Sequence, residues 1–295
     1  MKNNHLSGRE WGERIVLALL FVAIGGGIYL VFSPLRPLLS KGGDYPGRIA
    51  DYLGRIGLIA VLLVTFLLAR RSERFGKYAQ VLLGLLIMTI AVSLDRIFGV
   101  YLIDTLGVGD ATAAGWAIQK LNEFFIVVSV VISLTLMSGG SLGSIYIQKG
   151  NLRLGLIIGV TTFFLAAAGS TLMATSLFKG QDLTLARIIV WLPWLLIFVL
   201  ANAAQEELLF RGLFLRKLQP FFGKFVSNFL IMFVFTALHY GADYASNNFI
   251  FLVAVVLVAL AWGYVMQKTE GIWGSILFHA GMDIPIMLGI FSNLP

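Results

Sequence analysis

The sequence predicts an all-α fold, a polytopic bundle of eight to nine transmembrane helices, and three observations carry that prediction. Of the 295 residues, 58% are hydrophobic and only 13% charged, about half the charged share of an ordinary soluble domain. Apolar stretches of about 18 or more residues recur along the whole length, each able to cross a hydrocarbon core of about 30 Å. The runs are continuous rather than alternating, so in lipid, where the backbone satisfies its own hydrogen bonds, they read as helices and not as barrel strands.

The first run, 15–32, follows a short basic stretch as a signal peptide would, but it is long and ends in Ser33 and Pro34 without a small-residue cleavage site. It reads as a retained anchor. Further spans are expected at 56–69, 79–94, 124–137, 154–177, 188–218, 225–240, 249–266 and 272–290. No internal repeat, low-complexity tract or soluble domain interrupts them. Asp95 with Arg96, and Glu123 beside Asn122, fall at helix ends, where interfacial solvation is the ordinary explanation.

The absence of cysteine rules out disulfides, thiolate nucleophiles and Cys-ligated metals. The net charge of +7 is of the kind that faces anionic lipid from cytoplasmic loops, which argues against a nucleic-acid partner. If nine helices alternate, the N-terminus, Arg70, Arg71, Arg74 and Lys77, Lys149 with Arg153, Arg216 to Lys224, and Lys268 share one side, expected to be cytoplasmic. Asp104, Asp110 and Asp243 fall on the other. Arg36, Lys41 and Arg48 run against this trend.

The chemistry is concentrated after residue 188. Two adjacent carboxylates, Glu206 and Glu207, and an arginine, Arg211, stand inside an apolar helix as QEELLFRGLF, where each charge costs about 2.5 to 3.5 kcal/mol at the bilayer centre. On an α-helix Glu207 and Arg211 share a face, while Glu206 is turned about 100° away. Glu207 is therefore expected to pair with Arg211, and Glu206 to be free to act as a general base on water. The plain alternative is a Glu–Arg bridge that only orients helices. Two of the three histidines, His239 and His279, also fall within spans, and Asp283 follows His279 by four residues, so both project from one helical face. The third, His5, lies in the polar N-terminal tail and is expected to be inert. Counted from the turns on the basic side, Glu206 and His239 lie about 21 and 24 Å deep, and His279 and Asp283 about 11 to 17 Å. All of them are expected to meet in one water-accessible cavity below the cytoplasmic surface.

These residues resemble the CPBP intramembrane proteases, which include the type II CAAX prenyl endopeptidases and bacteriocin-processing relatives. Glu206, Glu207 and Arg211 match a Glu-Glu-x-x-x-Arg motif, Phe235 and His239 a Phe-x-x-x-His motif, and His279 and Asp283 a His-x-x-x-Asn/Asp motif. The resemblance covers about 100 residues and implies a catalytic helix bundle over 186–295, preceded by variable transmembrane helices over 1–185. It implies an endopeptidase of a bacterial cytoplasmic membrane whose cavity opens to the cytosol, acting on a membrane-associated peptide, prenylated or bacteriocin-like. Glu206 would activate the water and His239 assist, His279 and Asp283 would stabilise the oxyanion, and Arg211 would order the pair through Glu207. The prenyl endopeptidases commonly carry Asn where Asp283 stands, and Asp donates a hydrogen bond only when protonated. That keeps a metalloprotease reading open, with zinc on Glu206, His239 and His279. The metal-free reading is preferred, because no His-Glu-x-x-His pattern places two ligands and a base on one helix. Self-immunity or scaffolding without proteolysis, and an ion-coupled relay, are the other functions such residues serve.

Overall fold

The computed structural model describes residues 8–32, 45–240 and 242–295. His5, Arg36 and Lys41 lie outside the described residues, as does the side chain of Arg48. Among the described residues the chain is helical throughout and has no strand: α1 (Gly8–Phe32), α2 (Tyr45–Arg71), α3 (Ala79–Phe98), the short α4 (Tyr101–Leu106), α5 (Ala113–Met137), α6 (Leu152–Leu177), α7 (Leu185–Glu206), α8 (Leu213–Leu238), α9 (Asn248–Thr269) and α10 (Trp273–Ser292). Starts are set by side-chain caps where the sequence offers them. Thr112, Asn151, Thr184 and Asn247 accept backbone N–H groups at the first turns of α5, α6, α7 and α9.

Among the described residues, eight helical runs are long and apolar enough to span a membrane. Their outward surfaces keep Leu19, Leu165, Leu172 and Phe225 exposed by two thirds or more, which is stable in lipid and not in water. One run, Leu185–Leu238, counts 54 residues and would reach about 80 Å if straight. It reverses instead at Gly223, whose φ of 71° and ψ of 179° break the helix just after Pro220, a backbone geometry that suits glycine. The two limbs return side by side, bringing the rings of Phe210 and Phe235 to 5.1 Å. Eight runs thus make nine passes. The second limb, residues 224–238, turns Phe225, Phe229 and Phe233 outward in a row, the first two rings stacked and the last two edge to face.

The tightest helix pair is α6 with α10. Gly155 and Gly159 of α6 meet Gly274 of α10, and a Cβ at Gly281 would come within 2.6 Å of the Phe163 Cα. Where lipid supplies no hydrophobic drive between helices, such small residues let backbones approach and gain dispersion contacts.

The two ends of the bundle differ. At one, Arg216 bonds Glu270 at 2.6 Å and the Gly143 carbonyl at 2.8 Å, Lys224 lies 3.6 Å from Glu270, and Lys77 meets Glu13 at 2.6 Å. At the other, Lys179 donates to the Asp243 carbonyl and Asn293 donates to that of Lys179. The basic turns of the sequence therefore do gather on one face.

Candidate active site

At the end of α7 the helix widens into a π turn, Glu207–Gly212. A π turn accommodates an extra residue within a helix and recurs at functional sites. The expected pairing of Glu207 with Arg211 is present, at 2.5 Å, although the turn carrying it is π rather than α. Both side chains are wholly buried. Arg211 also donates to the Ala259 carbonyl at 3.2 Å, and its guanidinium lies against the rings of Phe235 and Trp262, 4.7 and 5.1 Å from their centroids.

Glu207 receives two further donors. His279 Nδ1 lies 2.9 Å from its Oε1, and the Ser275 hydroxyl donates to its Oε2. The imidazole of His279 stacks on Trp262 at 3.8 Å, with an interplanar angle of 11°. Glu207 therefore orients the His279 ring; Asp283, the partner suggested by the four-residue spacing, stands 3.6 Å from Nε2, and the Asn202 amide holds it at 2.9 Å.

Glu206 behaves differently from its neighbour. Its Oε2 lies 3.5 Å from His279 Nε2 and accepts no hydrogen bond, and its carboxylate borders a cavity of about 350 Å³ that His239 and Asp283 also line. His239 Nδ1 lies 3.0 Å from the Phe235 carbonyl, which can only accept, so that nitrogen carries the proton and Nε2 is left for other work. Phe235 holds both histidines, its ring centroid 4.6 Å from that of His239 and 5.9 Å from that of His279. Ser275, Trp262 and Asn202 were not anticipated. Serine, tryptophan and asparagine are ordinary inside membrane helices, and only the fold shows what they touch.

The first five helices contribute more than span. Asp95, Arg96 and Glu123, expected to be ordinary interfacial charges, line the same cavity, together with Lys120 and Arg55. Lys120 pairs with Glu123, and Arg55 with the buried Asp51 at 3.0 Å. Asn122 follows the ordinary expectation, donating to the Phe98 carbonyl at 2.7 Å.

Much of the cavity wall lies away from the basic turns. This part is formed by helix ends remote from those turns: Tyr29 near the end of α1, Asp95 near the end of α3, Lys120 near the start of α5, His239 after the end of α8, and Ile290 near the end of α10. The depth count from the basic turns gives the level of these residues and not the end at which the helices part.

Among the described residues no three His, Asp or Glu side chains are arranged to hold a metal ion. His279 Nδ1 is directed at Glu207 and His239 Nδ1 at a backbone carbonyl, so each would offer a metal only its Nε2.

The chain is thus a polytopic α-helical membrane protein in which paired carboxylates and histidines gather at a cavity between its helices. The family model described as type II CAAX prenyl endopeptidase Rce1-like matches residues 188–285, which supports a protease of the CPBP family. All three motifs lie within the match. No curated protein and no solved structure matches the chain.

Proposed function

We propose that this protein is a membrane endopeptidase in which Glu206 activates water against a peptide bond, and that its cavity belongs to the extracytoplasmic half of a bacterial cytoplasmic membrane. One observation carries the mechanism. Of two adjacent carboxylates, one is sequestered by Arg211, His279 and Ser275, while the other belongs to a residue on the cavity wall and keeps one buried oxygen without a hydrogen-bond donor, 3.5 Å from His279 Nε2. Glu207 is then a positioning residue, and so are Arg211 and Phe235. Glu206 takes a proton from water as the water oxygen adds to the scissile carbonyl carbon and the carbonyl electron pair moves to oxygen. When that pair returns, the C–N bond breaks, and the proton leaves with the amine. His239 Nε2 is available to pass it, and Asp283 fixes the opposite edge of the site. Residues 186–295 supply this chemistry, and residues 1–185 complete the cavity wall.

The charge rule supports the orientation, since cytoplasmic loops carry the excess of Lys and Arg. An anchored or secreted peptide, bacteriocin-like rather than a cytosolic prenylated terminus, is the substrate class that suits such a cavity. The mechanism is tested with a pool of internally quenched peptides bearing an apolar anchor, added to protein reconstituted in liposomes. Glu206→Gln is expected to lower cleavage at least about 10²-fold with unchanged detergent extraction. Wild-type turnover by that variant would end the assignment.

A further inference from the structure

The motif residues offer acceptors more than donors, and the cationic donors on the cavity wall, Arg55, Arg96 and Lys120, are paired with Asp51 and Glu123. Glu206 and Asp283 present carboxylate oxygens, and His239, with its Nδ1 proton on the Phe235 carbonyl, presents a lone pair. His279, named by the family resemblance as an oxyanion donor, is 1% exposed and does not line the cavity. Its Nδ1 is held by Glu207, and its Nε2 is flanked by Glu206 and Asp283 at 3.5 and 3.6 Å. The Asn202 amide is engaged with Asp283. Yet a tetrahedral intermediate places negative charge on the former carbonyl oxygen, and that oxygen requires a donor in a water-poor site.

One unpaired donor borders the cavity from outside the motif helices. Tyr29, near the end of α1, is 6% exposed, lines the cavity with Glu206, and its buried hydroxyl has no hydrogen-bond partner in the protein. An unpartnered buried hydroxyl lowers stability, so its presence asks for a use. The ring is fixed by stacking on Phe210, with centroids 4.9 Å apart, and Phe210 packs edge-on against Phe235, the residue that holds both histidines. The phenol is thus set by the same aromatic frame as the catalytic groups. Of the other aromatic wall residues, Phe198 has no donor, Trp116 packs against Phe198, and Tyr244 is a second phenol but part-exposed, its hydroxyl not left buried without a partner as that of Tyr29 is.

We infer that Tyr29 is the neutral hydrogen-bond donor to the oxyanion of the tetrahedral intermediate, a catalytic residue contributed by the first helix. This rests on the protease reading above and adds a residue to it. The O–H stays on Tyr29 throughout and no proton is transferred. The hydrogen bond shortens as charge grows on the substrate oxygen and relaxes when the C–N bond breaks.

The experiment compares wild type, Tyr29→Phe, Tyr29→Leu and Glu206→Gln on the same quenched peptide pool in liposomes, with thermal unfolding of each in detergent. Tyr29→Phe keeps the ring on Phe210 and removes only an unpaired oxygen, so its melting temperature is expected to equal or exceed that of wild type. Its kcat is expected to fall about 10²- to 10³-fold, as for loss of one oxyanion donor, with KM little changed. Tyr29→Leu should lose both kcat and stability, because the aromatic frame goes with the ring. If Glu206→Gln is inactive while Tyr29→Phe turns over as wild type does, the inference falls and the protease reading stands. If Tyr29→Phe loses activity only in step with its melting temperature, the hydroxyl is structural and the inference also falls. Cleavage that does not depend on Glu206 sinks the protease reading and the inference together.

Discussion

Arg211 has no exposed surface and is held against two aromatic rings while it binds Glu207. Its removal leaves a wholly buried carboxylate without a matching charge, a loss of about 3 to 5 kcal/mol. Arg211→Ala is therefore expected to extract poorly and to melt well below Glu206→Gln. Arg211→Lys should recover only part of the difference, because an ammonium lacks the planar fork of a guanidinium. An Ala variant that melts with wild type would show the Glu207 charge to be matched elsewhere. The Glu207–Arg211 pair could be read from the sequence because its partners are four residues apart. The partner of His279 could not. The same spacing favoured Asp283, whereas the close contact is to Glu207, 72 residues away, and local periodicity carries no information about which helix lies opposite.

At the scale of helices, the spans were legible almost throughout, since continuous apolar runs mark them wherever lipid is the solvent. The π turn was not, because nothing in the composition of ELLFRG separates it from an α-helical turn. The α6–α10 seam is intermediate: Gly155 and Gly159 stand in a Gly-x-x-x-Gly spacing that marks a close-packed face, but the spacing does not name the partner. The charged wall from α3 and α5 was hidden for another reason. Residues near helix ends are usually solvated, and only the fold shows that several such ends surround one cavity. The seam supplies a direct test. A side chain at Gly281 meets the backbone of Phe163 and cannot be relieved by a rotamer change. Gly281→Val is expected to cost about 1 to 3 kcal/mol through overpacking, seen as a lower melting temperature. Activity should fall with it, since Asp283 lies two residues on. Unchanged melting would mean that the two helices can part without penalty.

For the whole molecule, the relation between charge and cavity is what topology experiments can decide. The chain has no cysteine, so single cysteines report without background, and Lys268 and Asp243 are exposed at opposite ends of the bundle. In intact cells a membrane-impermeant maleimide is expected to label Asp243→Cys and to reach Lys268→Cys only after lysis. The reverse pattern would put the cavity on the cytosolic side and overturn the proposed orientation, while leaving the geometry around Glu206 unaffected.

The second limb of α8 has a consequence for the surrounding bilayer. Residues 224–238 extend roughly 22 Å, against a hydrocarbon core of about 30 Å, and their phenylalanine row faces lipid. Acyl chains beside this limb have to compress or splay, at a fraction of a kcal/mol per Å of mismatch. The resulting dimple draws the interface toward His239, where the limb ends. A peptide anchored at the membrane surface then has less far to sink before its scissile bond reaches the site. Turnover in liposomes of unsaturated phosphatidylcholines of increasing chain length is accordingly expected to fall steadily as the bilayer thickens. A rate indifferent to thickness would show that the short limb leaves the membrane undeformed.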